Sequence, residues 1–159
     1  AYVESPTTPI PCKNANLMQC LDEYTAIETL DGDNMLEIDD KGTKSICKKQ
    51  ILFWSFPKIL VIMLKRFGNN LRKNTDRIDF PLVDLDLSKY TIGYDKKKYI
   101  YDLYGICNHS GGVLGGHYWA DVKNANGKWY SFNDTRVSEL NEDNLITEKA
   151  YCLFYRKKY

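Results

Sequence analysis

The chain has 159 residues, 43% hydrophobic and 27% charged, which fits one folded domain, or a domain with a small lobe, and excludes a disordered segment. Lys and Arg number 22 against 21 Asp and Glu, so the total implies no basic surface built for nucleic acid. No apolar run reaches the roughly 18 residues of a spanning helix, and Ala1 to Pro6 lacks the pattern of a secretion signal, so no membrane partner is expected.

Residues 1–14 are rich in Pro and Thr and read as a lead-in. From Asn16 to Leu30 the apolar positions Leu17, Cys20, Leu21, Tyr24, Ile27 and Leu30 recur at helical spacing, with Asn16 as a cap. Residues 30–34 form a turn, Met35–Ile38 a short strand, Asp39–Gly42 a hairpin turn, and a second strand follows through Trp54. Ile59–Leu64 is a continuous aliphatic run that predicts a central strand buried on both faces. Residues 67–76 read as a polar loop, 77–80 as a short strand closed by Pro81, and 82–87 alternate.

Tyr99–Cys107 is a strongly aromatic strand, followed by a glycine-rich loop from Asn108 to His117. Tyr118–Val122 is a strand, Asn124–Gly127 a hairpin turn, and 128–133 the return strand. Residues 139–145 read as a short helix or loop and Ala150–Arg156 as a final strand. The pattern is strand-rich with one helix near the start, an α+β fold of mostly antiparallel sheet.

Cys12, Cys20, Cys47, Cys107 and Cys152 are odd in number, widely spaced and never arranged as CxxC. That suits reduced thiols of an intracellular protein better than a disulfide framework. With two His and no paired Cys, ligands for structural zinc are scarce.

Chemistry concentrates between His109 and Asp134. Antiparallel pairing about the Asn124–Gly127 turn brings His117, which opens one strand, close to Asn133 or Asp134, which end the next. A His beside an amide or carboxylate is the base and orienter of a nucleophilic triad. Asn or Asp would accept from Nδ1–H and leave Nε2 to take a proton. His109, in a Gly-Ser context, suits a solvated or loop-bracing role.

These segments resemble the ubiquitin-specific proteases, papain-like cysteine deubiquitinases. Tyr101–Gly111 through Gly115-Gly116-His117-Tyr118 looks like their histidine box, with 128–137 as its continuation and 150–155 as the terminal strand. Phe56–Phe67 is similar to a palm strand, followed by Asp79-Phe80-Pro81, and 16–34 to the helix entering the fingers. The resemblance implies a lead-in over 1–15 and the C-terminal part of a catalytic domain over 16–157. Residues 16–56 would be fingers-like and 57–157 palm-like. It implies hydrolysis after the C-terminal Gly of ubiquitin, with His117 as general base, Asn133 orienting it and Asp134 in support. Gly115, Gly116 and Tyr118 would line the channel for the ubiquitin tail. The implied partners are ubiquitin, ubiquitinated proteins and a cysteine-bearing half of the same domain, in the cytoplasm or nucleus, with no cofactor.

Two departures stand out. The family's fingers usually carry a zinc ribbon of two CxxC pairs. The later pair would fall at Ile38 and Lys41, and the earlier pair has no counterpart. No zinc is expected, with the hairpin held by packing alone. The family's nucleophile box, similar to Gly-Asn-Thr-Cys, is also not found. Cys12 has the right spacing to Leu17–Leu21, but Pro9-Ile10-Pro11 precedes it, and 17–30 fits the finger helix better. The chain therefore reads as about half of a larger catalytic domain, lacking an initiator Met and starting after the cysteine lobe. The alternative is a catalytically silent ubiquitin-binding module, against which the retained His117 and Asn133 argue.

Overall fold

The computed structural model describes residues 15–68, 72–94 and 99–159. Cys12 and the rest of the expected lead-in before residue 15 lie outside them. The elements in chain order are α1 (Leu17–Tyr24), β1 (Glu28–Leu30), β2 (Leu36–Glu37), β3 (Lys44–Ser45), β4 (Cys47–Lys49), β5 (Ile59–Met63) and β6 (Leu85–Asp86). They continue as β7 (Ile100–Gly112), β8 (Gly115–Lys123), β9 (Trp129–Asn133), β10 (Arg136–Leu140) and β11 (Ala150–Lys157), with short 3-10 turns between some of them. The result is the expected α+β fold dominated by antiparallel sheet.

The helix is shorter than its apolar spacing suggests. Asn16 caps it through a reciprocal pair, Gln19 N–H to Asn16 Oδ1 at 2.9 Å and Asn16 N–H to Gln19 Oε1 at 3.0 Å. It stops at Tyr24 because Thr25 turns back on the last carbonyls, its hydroxyl donating to Leu21 O at 2.8 Å. Glu28–Leu30 then pairs with Cys47–Lys49, so the end of the expected helix is a strand. The second finger strand is likewise broken, into β3 and β4, and does not run to Trp54.

Packing does not hold the finger hairpin. Leu36, Ile38 and Ile46 are all more than half exposed. The Asp39 carboxylate holds the turn instead, accepting from Lys41 N at 3.0 Å, Thr43 N at 2.9 Å and Thr43 Oγ1 at 2.7 Å. These bonds favour the carboxylate and lower the Asp39 pKa, Thr43 contributing most. Ile38 and Lys41 offer no metal ligand, and no cluster of three His, Cys, Asp or Glu suited to a metal occurs among the described residues.

The main sheet runs β10-β9-β8-β7-β11-β5, with β6 also on β7. The aliphatic run of β5 is an edge strand and not a central one. Leu60 and Ile62 face the core, whereas Ile59, Val61 and Met63 are 44%, 51% and 52% exposed. Among the described residues β5 pairs with β11 alone. The expected strand over 77–80 is a single bridge, Asn16 to Asp79, which pins the start of α1 through Leu17 N to Asp79 O at 2.8 Å.

One face of the sheet is buried by Leu103, Ile106, Trp129, Leu153 and Tyr155, all 2% exposed or less. Two tyrosines bring polar ends inward and satisfy them on proline carbonyls: Tyr101 Oη to Pro57 O at 2.6 Å and Tyr155 Oη to Pro81 O at 2.7 Å. Burial pushes both phenols well above their ordinary pKa. Tyr155→Phe keeps the packing and removes the donor, so urea unfolding should show a loss of about 1–3 kcal/mol for the orphaned acceptor. An unchanged midpoint would mean that water replaces the bond.

The histidine hairpin as a candidate active site

The glycine-rich segment after Cys107 is not a loop. β7 continues through Gly112, and Gly112 pairs with Gly115, Gly111 with Gly116 and Ser110 with His117. Only Val113 and Leu114 turn, and Leu114 is fully exposed. Gly111 takes φ +122°, and a Cβ there would press on Gly115 O and Gly116 Cα, both at 2.6 Å. At Gly111 the absence of a Cβ is what lets the two strands approach.

Strict alternation along β8 puts His117, Trp119 and Asp121 on one face and Tyr118, Ala120 and Val122 on the other. The pairing of Ala120 with Phe132 places Asn133 on the His117 face. The expected meeting occurs: His117 Nε2 lies 2.6 Å from Asn133 Oδ1. An amide oxygen only accepts, so the proton is on Nε2. This reverses the expected ring orientation, because Nδ1 is the nitrogen left for chemistry. Trp119 flanks the ring at 6.1 Å with 23° between planes.

Among the described residues Asp134 makes no hydrogen bond or ion pair with the His117 ring, whose partner is Asn133. Asp134 opens the two-residue turn between β9 and β10 at φ +52°, a left-handed conformation that Asp tolerates better than most side chains. Gly115 and Gly116 are exposed beside His117, while Tyr118 points to the opposite face.

His109 is neither solvated nor free. Its ring is 2% exposed, with Tyr118 at 4.4 Å, Phe67 at 5.8 Å and Tyr151 at 5.9 Å between ring centroids. Lys73 Nζ lies 3.0 Å from His109 Nδ1 and donates to His109 O at 2.5 Å. Burial, then the Lys73 charge, lowers the His109 pKa. Burial also lowers that of Lys73, helped by Arg66 and Lys149. Nothing in the sequence pattern singled out Lys73, which sits in the stretch read as a polar loop.

A depressed imidazole pKa has a definite sign. Stability from neutral His109 should be full above the ordinary value of about 6.5 and be lost as the pH falls from there through the folded value. The unfolded chain takes up a proton that the folded ring refuses. Urea midpoints between about pH 7.5 and 5 should fall, and His109→Gln should flatten that slope. A slope of the same size in the variant would assign it to another group.

Arg66 braces the same corner from behind. It is 3% exposed and donates from Nε to Ala150 O at 2.6 Å and from Nη1 to Asp76 O at 2.8 Å and Asn74 O at 3.2 Å. The cysteines are elsewhere. Cys107 and Cys152 face each other across β7 and β11 on the face opposite His117, and burial raises both thiol pKa values. Cys20 lies in α1 and Cys47 opens β4 in the fingers.

The family model described as "Ubiquitin carboxyl-terminal hydrolase" matches residues 7–155. Ubiquitin carboxyl-terminal hydrolase 12 of Saccharomyces cerevisiae is 50% identical over 117 residues, covering 70% of this chain and 9% of its own length. Ubiquitin carboxyl-terminal hydrolase 10 of Arabidopsis thaliana is 39% identical over 149 residues, 91% of this chain and 16% of its own. Among solved structures, the yeast SAGA DUBm aligns over 91% of this chain with TM-score 0.78 and 34% identity. A SAGA DUB module bound to monoubiquitin aligns over the same share with TM-score 0.77 and 35% identity. The chain spans 33% of each of those solved chains.

Proposed function

Because the chain belongs to the ubiquitin carboxyl-terminal hydrolase family, we propose that it supplies the imidazole and the ubiquitin-facing surface of a thiol hydrolase that cleaves the bond after ubiquitin's terminal Gly. The observation that carries this reading is the 2.6 Å bond from His117 Nε2 to Asn133 Oδ1 on an exposed ring. With Nε2–H held by the amide, the Nδ1 lone pair is fixed in direction and free to take the thiol proton.

The thiolate then attacks the carbonyl carbon of the terminal Gly. His117, now imidazolium, returns the proton to the departing amine, leaving a thioester. Water, deprotonated by the same nitrogen, hydrolyses the thioester and regenerates the thiol. Asn133 stabilises the imidazolium through a charge-assisted bond that is stronger than the neutral one. Asp134, one residue on, adds negative charge near that cation. Gly115 and Gly116, lacking side chains, leave room for a Gly-Gly tail beside the ring.

Cys107 and Cys152 lie on the face opposite His117, and in this proposal the nucleophile belongs to a cysteine-bearing lobe packed against the hairpin. Ubiquitin and ubiquitinated proteins are the proposed partners, in the cytoplasm or nucleus, where thiols stay reduced. The alternative, a silent ubiquitin-binding module, predicts binding without turnover.

The test is covalent labelling by ubiquitin carrying a C-terminal electrophile. The whole protein should form an adduct on a cysteine of that lobe, while this chain alone forms none. An adduct lost in Cys12→Ala would move the nucleophile into this chain. Binding without any adduct or hydrolysis in the whole protein would favour the silent module.

A further inference from the structure

Lys73 and His109 lie behind the hairpin that presents His117, and their contacts are more specific than burial requires. An ammonium has three protons and no acceptor, so the 3.0 Å contact to His109 Nδ1 requires that nitrogen to be unprotonated. The ring is therefore neutral, with its proton on Nε2. The same ammonium holds the backbone carbonyl of His109, so one cation fixes both ends of one residue.

The Nε2 edge of that ring is the floor under Gly116. A Cβ built on Gly116 would collide with His109 Nε2 and would meet Ser110 O at 2.5 Å and His109 Cδ2 at 3.0 Å. Gly116 is the residue before His117. The strand ends around it are Gly111, Gly112 and Gly115, which have no side chains to pack and hold a backbone weakly. The His117 ring is exposed, and among the described residues its side chain hydrogen-bonds Asn133 alone. The height of the backbone at Gly116 is thus set from below, by the His109 ring.

Lys73 is itself anchored. Phe67 and Lys73 form a bridge, and Asn74 N donates to Arg66 O at 2.6 Å while Arg66 Nη1 returns to Asn74 O. A chain of contacts runs from buried Arg66 through Lys73 and the His109 ring to Gly116.

We propose that Lys73 and His109 are positioning residues. Lys73 locks His109 in its Nε2–H tautomer, and the locked ring seats Gly116 so that His117 stands in line with Asn133. This rests on the proposed role of His117, and it concerns how that residue is held, not the proton transfer. Lys73 touches no reacting atom.

Two measurements test it. In the whole protein, Lys73→Met should lower kcat for ubiquitin-amide hydrolysis by about tenfold to a hundredfold, the range expected when a reacting group is displaced by about 1 Å, with KM within about twofold. Lys73→Arg, which keeps a cationic donor, should recover most of that loss. A Met variant that folds with unchanged kcat, or whose loss falls on KM, would overturn the proposal, as would Arg and Met variants that behave alike.

The second measurement needs no turnover. Nitrogen-15 spectra of the histidine rings should show His109 with Nδ1 unprotonated and Nε2 protonated at neutral pH. The hydrogen-bonded His117 Nε2–H signal should shift in Lys73→Met and return in Lys73→Arg. A His109 ring protonated on Nδ1, or a His117 signal indifferent to Lys73, overturns the proposal whether or not the protein hydrolyses ubiquitin conjugates. Absence of hydrolysis with the expected spectra would instead remove the assigned reaction and leave the positioning of Gly116 by Lys73 and His109 standing.

Discussion

Replacing His117 with Ala in the whole protein is expected to lower kcat for ubiquitin-amide hydrolysis by about a thousandfold to a millionfold, with ubiquitin binding retained. The magnitude follows from two losses at once. The thiol keeps its proton at neutral pH, because free cysteine ionises at about 8.5. The leaving amine also has no acid to protonate it, and general acid–base catalysis alone contributes about 10²–10⁴. The fold should be nearly indifferent, since the ring is exposed and among the described residues bonds to Asn133 alone. Equal unfolding midpoints for wild type and variant would separate the catalytic loss from a folding defect. A loss of less than about tenfold would remove His117 from the chemistry.

Asn133→Ala should have the next largest effect. A hydrogen bond to a charged group is worth about 1.5–3 kcal/mol, and each 1.36 kcal/mol is about a decade in rate. Loss of the amide should therefore cost roughly tenfold to two-hundredfold in kcat. The loss arises where the imidazolium forms, so KM should move little. Asn133→Asp keeps an acceptor toward Nε2 and should restore most of the rate. If Ala and Asp lose equally, the amide serves the turn of the hairpin and not the ring.

The juxtaposition of His117 and Asn133 was legible in the sequence because the Asn-Ala-Asn-Gly turn fixes the register between β8 and β9, and side chains alternate faces with period two. Which imidazole nitrogen meets the amide was not legible, since that depends on the side-chain torsions of His117. The run around Gly111, Gly112, Gly115 and Gly116 read as a loop because glycines usually mark one. Here they sit in paired strand ends, where close approach leaves no room for a Cβ at Gly111 or Gly116, while Gly112 and Gly115 face open space.

The aliphatic run of β5 read as doubly buried. Composition alone cannot tell a central strand from an edge strand whose outer face is left open. Ile27 and Leu30 fit a helical stripe, but Thr25 closes the helix before them and strand pairing takes over. Lys73 escaped notice because its contact spans 36 positions and carries no local pattern. The Asp39–Gly42 turn was legible, but that the Asp39 carboxylate holds it was not, because a carboxylate in a polar turn looks like any other.

The most direct measurement of the central claim is the structure of the whole protein as its covalent adduct with ubiquitin bearing a C-terminal electrophile. The modified sulfur is expected on the Nδ1 side of His117, with Nε2 still held by Asn133 Oδ1 and the Gly-Gly tail beside Gly115 and Gly116. A sulfur facing Nε2, or an adduct remote from His117, would contradict that claim.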